Sequence, residues 1–181
     1  ESLVCVSDGK VMTNPIAGTR RRGKDRAEDL ALEKELLADP KELSEHEMLV
    51  ELGESDMKKV CVPGSIEITK HMEVVRYQHV MHIVSEVEGK LSHSTHALDA
   101  LTACLPAGTV TGSPKQRAME IIDELEDVHR GIYGGCLGHS AAHGPTVTCI
   151  GLTPVTGQER RRWLHADAGL AAVPAPEPIQ G

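Results

Sequence analysis

Two glutamates one helical turn apart are the first residues whose spacing suggests chemistry. Glu42 and Glu45 lie three positions apart in a segment that predicts a helix, and Leu49 continues the face that they share. Carboxylates beside a buried apolar stripe require water, a cationic partner or a bound metal ion. A site rich in oxygen suits Mg²⁺, which binds one or two carboxylates and keeps several waters. The same spacing also fits a solvated helix face in an acidic protein.

A histidine on a predicted strand is the second candidate. His82 shares one strand face with Val80 and Val84, and an imidazole is a side chain that suits proton transfer. The same position is also typical of a hydrogen-bonded core histidine. His79, three positions earlier, points to the opposite strand face, which makes the two a poor metal pair. A zinc trio is conceivable elsewhere, but no zinc-ligand spacing supports it; its members would be His139, His143 and His165.

A loop of small residues leads into a predicted helix start. Residues 108–112 are rich in Gly and Thr, and Ser113 followed by Pro114 predicts a capped N-terminus. Backbone N–H groups and the helix dipole at such a place suit an anion. The loop lacks the Lys-Ser/Thr ending of a nucleotide P-loop, so an organic carboxylate is the expected ligand. Arginine runs at 20–22 and 160–162 offer cations for a dianion, or lie in solvated turns.

These residues are positioned by elements of mixed type. Asp25 with Glu28, and Asp39 with Pro40 and Glu42, predict the starts of two helices. The dipeptide Asp8-Gly9 predicts a hairpin turn. The predicted helices are 25–37, 39–52, 96–105 and 113–125; the predicted strands are 3–6, 11–12, 65–69, 72–77, 80–88, 136–142, 146–155 and 162–168, with a loop at 15–23 and a frayed tail from 173. The pattern therefore indicates an α/β (α+β) protein.

Composition excludes several classes of protein. The 181 residues carry 27 Asp and Glu against 19 Lys and Arg, a formal net charge of -8 that argues against a nucleic-acid binder. The 40% of hydrophobic residues excludes a mostly disordered chain, and no apolar run is long enough for a membrane helix. Five scattered cysteines predict reduced thiols and a cytoplasmic protein. The start, ESLV, has no signal-peptide features, and we expect it to come from the middle of a longer chain.

Six segments in order resemble one family, that of anthranilate synthase component I among the chorismate-binding enzymes. The segments are 15–23 (PIAGTRRRG), 45–53 (EHEMLVELG), 77–85 (YQHVMHIVS), 108–115 (GTVTGSPK), 118–126 (AMEIIDELE) and 130–135 (RGIYGG). The resemblance is strong over 15–138, whereas 139–181 diverges. It implies one partial catalytic domain over residues 1–181, with the family's β-sandwich and flanking helices.

The resemblance also implies an activity and its partners. The family member converts chorismate and ammonia to anthranilate and pyruvate, with Mg²⁺, in tryptophan synthesis. Its ammonia comes from glutamine through a separate amidotransferase subunit, component II. Neither a nucleic acid nor a membrane is expected as a partner.

Site residues follow from the matched motifs. The resemblance makes Glu45 a magnesium ligand, and it makes His82, Thr109 and Glu42 the catalytic set, with His82 assisting the elimination of pyruvate. It assigns chorismate contacts to Gly18, Thr19, Tyr133, Ala168 and Gly169. Ala17 indicates the subtype, because the related aminodeoxychorismate synthases often carry a nucleophilic Lys there.

Departures from the family pattern predict that this chain alone has little or no turnover. Residues 51–56 read ELGESD where the family has DLGRND, and Thr153 stands where an Arg that grips a chorismate carboxylate is expected. Asp167 replaces a Gly, and His139 replaces an aromatic residue. The closing helix that carries a second magnesium carboxylate is replaced by PAPEP at 174–178. Two alternatives remain: a non-catalytic fragment that binds the amidotransferase subunit, and another chorismate enzyme, either an aminodeoxychorismate or an isochorismate synthase.

Overall fold

The fold combines helices with antiparallel sheet, as the sequence predicts. A computed structural model describes residues 1–141 and 144–152, and it describes the backbone of two further strands at 155–158 and 161–164. Its strands are β1 Ser2–Ser7, β2 Lys10–Thr13, β3 Ile16–Arg21, β4 Glu67–Arg76, β5 Val80–Lys90, β6 Cys136–Ser140, β7 Thr146–Ile150, β8 Val155–Gln158 and β9 Arg161–Leu164. Its helices are α1 Arg26–Leu36, α2 Pro40–Met57, α3 Ala97–Cys104 and α4 Lys115–Leu125, with a 3-10 helix at Gly108–Val110.

Strand β5 pairs with three other strands of a seven-stranded sheet. Along one edge it pairs with β3 and then with β2, which lie end to end, and along the other edge it pairs with β4. The sheet continues from β2 through β1 and β7 to β6. The hairpin predicted at Asp8-Gly9 is confirmed, since Ser7 pairs with Lys10 and both turn residues have positive φ.

Two predictions about strands are wrong. Residues 16–21, expected to be loop, form β3, because Gly18 is absorbed as an extra residue between the pairs Ala17–Ile83 and Thr19–His82. The two short strands expected at 65–69 and 72–77 are one strand, β4. It stays continuous through an irregular stretch in which Met72 has a φ of 54°.

The starts of the first two helices are confirmed at the atomic level. The Asp25 carboxylate accepts from the Glu28 N–H at 2.9 Å, and the Asp39 carboxylate accepts from the Lys41 N–H at 3.0 Å. Helix α2 runs to Met57, five residues beyond the predicted end. The cap predicted for α4 is wrong: Pro114 takes the N-cap position, and no side chain bonds to the helix start.

The core lies between the sheet and helices α2 and α3. Its fully buried members include Val4, Val11, Val50, Met57 and Val87. A smaller cluster of Leu36, Met81 and Ile83 joins α1 to β5. Among the described residues, no helix is both long and apolar enough to cross a membrane.

Candidate active site

A cleft of about 640 Å³ opens on the face of β3 and β5 that points away from α2. Its walls include Ala17 and Thr19 of β3, His82 and Val84 of β5, and Leu152 after β7. The strand alternation of β5 explains this arrangement, because Met81 and Ile83 are fully buried on the helix side while His82 and Val84 face the cleft. The sheet thus presents an imidazole and a hydroxyl to one volume.

The imidazole of His82 is held by β3. Its Nδ1 lies 3.0 Å from the Thr19 Oγ1 and 3.2 Å from the Gly18 carbonyl oxygen. The ring of Tyr77 meets it edge-on, with 5.7 Å between centroids and an interplanar angle of 61°. Thr19 and His82 are also a register pair of β3 and β5, so their contact follows directly from the strand pairing.

Glu42 approaches the same stretch of β3 from the helix side. A Cβ atom at Gly18 would lie 3.3 Å from the Glu42 Oε2 and 3.1 Å from the Ile83 Cδ1. Gly18 has a φ of 74°, a backbone conformation that favours glycine. Its bare backbone therefore separates the Glu42 carboxylate on one side from the His82 imidazole on the other.

The Arg20 guanidinium lies close to three carboxylates, one of which is the N-cap of α2. Its guanidinium lies 3.7 Å from the Glu42 carboxylate, 2.8 Å from Glu35 and 2.9 Å from Asp39. The hydrogen bond from Arg20 holds the pKa of the Asp39 carboxyl below its usual value. The sequence reading treated this arginine as part of a basic run and missed the contact, which becomes visible only when β3 is known to be a strand beside α2.

Glu45 is half-buried on α2, lines neither the cleft nor the smaller cavity described below, and is the residue that the sequence predicts to bind Mg²⁺. Its carboxylate makes no hydrogen bond or ion pair with any described residue, so its oxygens are available to a metal ion. No group of three or more His, Cys, Asp or Glu side chains in the described part of the chain is arranged to hold a metal. One carboxylate fits Mg²⁺, which keeps several waters and commonly takes further ligands from its substrate.

A buried contact fixes α2 to the sheet beside Glu45. The His46 Nε2 lies 2.7 Å from the Ser85 Oγ, which also accepts from the Met72 N–H at 2.9 Å. Burial lowers the pKa of His46 to about 4, so the ring is neutral near pH 7. The sequence reading missed this pair, although His46 lies on the same helix face as Glu42 and Leu49.

Thr109 lies in a neighbouring, smaller cavity of about 40 Å³, which Leu49 and Gly53 of α2 also line. Its hydroxyl donates to the Glu1 carboxylate at 2.9 Å. Glu1 and Ser2 line both this cavity and the larger cleft. Glu1 and Ser2 therefore separate Thr109 from the cleft that His82 lines.

An ion pair with a buried carboxylate connects α2 to α4 at the edge of the smaller cavity. The Lys115 ammonium bonds to the Asp56 carboxylate and, at 3.1 Å, to the Cys104 carbonyl. Lys59 adds a second cation at 2.8 Å from Asp56. Burial raises the pKa of the Cys104 thiol to about 12, which excludes it as a nucleophile at neutral pH.

The remaining predicted residues lie apart from this centre. Tyr133 is buried in the core beneath the Arg130 guanidinium, which lies 5.1 Å from the centre of its ring, and it lines neither cavity. His139 is exposed on β6. Several predictions fall outside the described residues: those for His143, Thr153, His165, Asp167, Ala168 and Gly169.

Comparison with known proteins gives a consistent result. The model of the chorismate binding enzyme family matches residues 1–177. The chain is 48% identical to anthranilate synthase component 1 of Mycolicibacterium smegmatis over 172 residues, which are 95% of this chain and 33% of that protein. It is 49% identical to the protein of the same name from Pseudomonas aeruginosa over 179 residues, 98% of this chain and 36% of that one.

A solved structure agrees with the sequence relatives. The crystal structure of anthranilate synthase component I from Streptococcus pneumoniae matches with a TM-score of 0.76 and 47% identity, over 84% of this chain and 33% of that one. The chain therefore spans about a third of the length of the curated relatives that it matches.

Proposed function

The chain belongs to the family of chorismate-binding enzymes, and on this premise we propose that it forms part of an anthranilate synthase component 1. The observation that carries the proposal is the identity of 48% with a protein of that name over 95% of this chain. Ala17 supports the subtype, because it lines the cleft where the resembling aminodeoxychorismate synthases often carry a nucleophilic Lys.

The proposed reaction joins chorismate and ammonia. Ammonia adds to the ring as the hydroxyl leaves as water, and pyruvate is then eliminated to give anthranilate. In the second step a base takes the ring proton, and the released electron pair enters the ring as the C–O bond to the enolpyruvyl group breaks. The enolpyruvate that leaves takes up a proton and becomes pyruvate.

The cleft residues take their roles from this reaction. His82 is the group that exchanges the proton during elimination, since its imidazole lines the cleft and is held by Thr19. Glu42, Gly18 and Thr19 shape the adjoining stretch of β3. Thr109 acts from the neighbouring cavity, and Tyr133, Ala168 and Gly169 remain proposed contacts of chorismate.

Magnesium would be held by Glu45 of α2, which does not line the cleft, together with groups beyond the described residues. When bound, it would neutralise the ring carboxylate of chorismate and polarise the leaving hydroxyl. We assign no further step to it. The proposal also includes an amidotransferase subunit as the source of ammonia, a place in tryptophan synthesis and a cytoplasmic location, which the five free cysteines suit.

An assay of product and binding tests the proposal. The 181-residue chain is incubated with chorismate, Mg²⁺ and ammonium, and anthranilate is followed by its fluorescence. We expect chorismate to bind with little or no turnover, because the chain spans about a third of its relatives. Rapid formation of anthranilate would contradict the predicted inactivity but would support the proposed function. Isochorismate as the product would instead identify the chain as part of an isochorismate synthase.

A matched pair of variants locates the binding site. Ala17→Glu places a carboxylate in the cleft and should weaken binding of the dianionic chorismate at least about tenfold by calorimetry. Ala38→Glu makes the same substitution at an exposed loop position and should leave binding unchanged. Equal effects of the two variants, or no binding by a folded wild-type chain, would contradict the proposed site.

A second candidate is a non-catalytic fragment that binds the amidotransferase subunit. It is favoured by the apolar side chains that α4 and the following segment leave exposed, among them Leu125 and Val128. A pull-down with the component II subunit of a related anthranilate synthase distinguishes the two. Association without chorismate binding would favour this candidate, and absence of association would remove it.

A further inference from the structure

One nitrogen of His82 contacts two oxygens of different hydrogen-bonding capacity. The Gly18 carbonyl oxygen, 3.2 Å from Nδ1, can only accept a hydrogen bond. The Thr19 hydroxyl, 3.0 Å from the same atom, can donate or accept. The position of the imidazole proton therefore decides whether both contacts are favourable.

The two neutral tautomers of His82 differ in this respect. With the proton on Nδ1, the N–H is directed at oxygens that both accept, and the two share it. With the proton on Nε2, the Thr19 hydroxyl donates to Nδ1, but the lone pair of Nδ1 then faces that of the Gly18 carbonyl at 3.2 Å. Only the first tautomer leaves no repulsive contact.

We propose that the Gly18 carbonyl fixes His82 as the Nδ1–H tautomer, with Thr19 as a second acceptor, so that Nε2 is the bare nitrogen offered to the cleft. Ring geometry supports this direction, since Nε2 lies across the ring from the atoms of β3. Nε2 makes no hydrogen bond to any described residue, and the His82 side chain lines the cleft. Gly18 and Thr19 are then positioning residues for His82.

The backbone of β3 explains how a carbonyl reaches the imidazole. Gly18 is the extra residue of a bulge, and its φ of 74° turns its peptide out of the regular ladder. A side chain there would meet Ile83 at 3.1 Å, Leu36 at 3.2 Å and Glu42 at 3.3 Å. The orientation of the carbonyl thus depends on a position where a side chain would be crowded and its backbone strained.

The consequence for chemistry rests on the proposed function. A neutral His82 with a bare Nε2 can take the ring proton in the elimination step, and the imidazolium so formed keeps its Nδ1–H on the Gly18 carbonyl. No reorientation of the ring is needed before or after the transfer. The other tautomer would present a donor to the cleft and could not accept that proton.

Nitrogen-15 NMR of the 181-residue chain tests the tautomer without any substrate. Long-range proton–nitrogen correlations, recorded at a pH at which the imidazole is neutral, distinguish a protonated ring nitrogen from a bare one, and the spectrum of His82→Asn identifies its signals. We expect the Nδ1–H form of His82 in at least about fivefold excess, a ratio typical of one hydrogen bond. His79 is the control on the same hairpin, because its exposed ring has no partner among the described residues and should populate both forms.

Variants of Thr19 separate the two oxygens. Thr19→Val removes the hydroxyl and should retain the Nδ1–H form, because the Gly18 carbonyl remains, and Thr19→Ser should match the wild type. A wild-type Nε2–H form, or a change to that form in Thr19→Val, would overturn the proposal. Added chorismate should shift Nε2 much more than Nδ1; the Nδ1–H form without such a shift would leave the tautomer established and count against the proposed function instead.

Discussion

Helices α2 and α4 both show an apolar face in the sequence, but they differ in how much of it is buried in the fold. Helix α2 has five buried residues: His46, Leu49, Val50, Asp56 and Met57. Helix α4, with 11 residues, buries none, and it leaves Met119, Ile121 and Leu125 exposed. The Lys115 ammonium holds the first turn of α4 to Asp56 of α2.

The difference shows what helical periodicity does and does not determine. It identifies which face of a helix is apolar, but burial depends on a surface of the right shape being present. For α2 that surface is the helix-facing side of β3 and β5, where Ser85, Ile83 and Met81 are fully buried. Among the described residues the apolar face of α4 is only partly covered, since Ala118 and Ile122 are half-buried while Ile121 and Leu125 are exposed. The cleft lies on the opposite face of the sheet from the helix that is packed.

Truncating one methionine in each helix should give the largest difference in stability between α2 and α4. Met57→Ala in α2 removes a fully buried side chain and should lower the free energy of unfolding by about 2–5 kcal/mol. Met119→Ala in α4 removes a side chain that is 45% exposed and should change it by less than about 0.5 kcal/mol. Urea denaturation of both variants measures the difference. Similar losses would mean that α4 packs as firmly as α2.

Sequence patterns predicted the local structure better than the contacts between elements. The caps at Asp25 and Asp39 and the turn at Asp8-Gly9 depend on neighbouring residues, and all three are confirmed. Strand β3 was missed because Pro15 and Gly18 resemble loop residues until the bulge in the pairing with β5 is known.

The candidate site shows the same limit. The strand alternation of β5 indicates that His82 has Val84 as its neighbour on one face, and the structure agrees. The contact of His82 with Gly18 depends on the register between β3 and β5. The contact of Glu42 with Arg20 depends on where α2 packs against the sheet. Those contacts join residues 64 and 22 positions apart, a separation that no local pattern encodes.

The buried histidine of α2 should make stability depend on pH. The pKa of His46 is about 4 in the folded chain because burial disfavours its charged form, against about 6.5 when unfolded. Between these values the unfolded chain binds a proton that the folded chain does not, so stability is complete above pH 6.5 and falls as the pH falls toward 4. We expect a loss of about 2–4 kcal/mol over this window, measured by urea denaturation in EDTA.

A substitution assigns this pH dependence to His46. His46→Gln should remove the loss between pH 6.5 and 4, whereas His79→Gln, at an exposed position, should retain it. Asp29, whose pKa the Arg22 guanidinium lowers to about 2, loses its contribution only below about pH 4 and so lies outside the window. An unchanged slope in His46→Gln would show that other groups carry the dependence.

The ion pair between the two helices gives an intermediate effect. Lys115→Met leaves the buried Asp56 carboxylate with Lys59 alone and leaves the Cys104 carbonyl without that donor. We expect a loss of about 1–3 kcal/mol in the free energy of unfolding. Lys59→Met is the control, since the Lys59 side chain is largely exposed and should cost no more than about 1 kcal/mol. A larger loss of stability for Lys59→Met than for Lys115→Met would show that Lys59, and not the contact with α4, is the main partner of the Asp56 carboxylate.

The smallest effect on stability is expected on the exposed face of α4. Leu125 is 76% exposed, so Leu125→Lys should change the free energy of unfolding by less than about 0.5 kcal/mol. The same substitution puts a charge one helical turn from Ile121 and three residues before Val128, whose exposed side chains favour association in water. Light scattering at increasing concentration should therefore show less self-association for Leu125→Lys than for the wild type. Ala31→Lys is the control, because it adds the same cation at an exposed position of α1 and should leave association unchanged. A marked loss of stability in Leu125→Lys would show that this face is packed in solution, and the contrast between α2 and α4 would then fail.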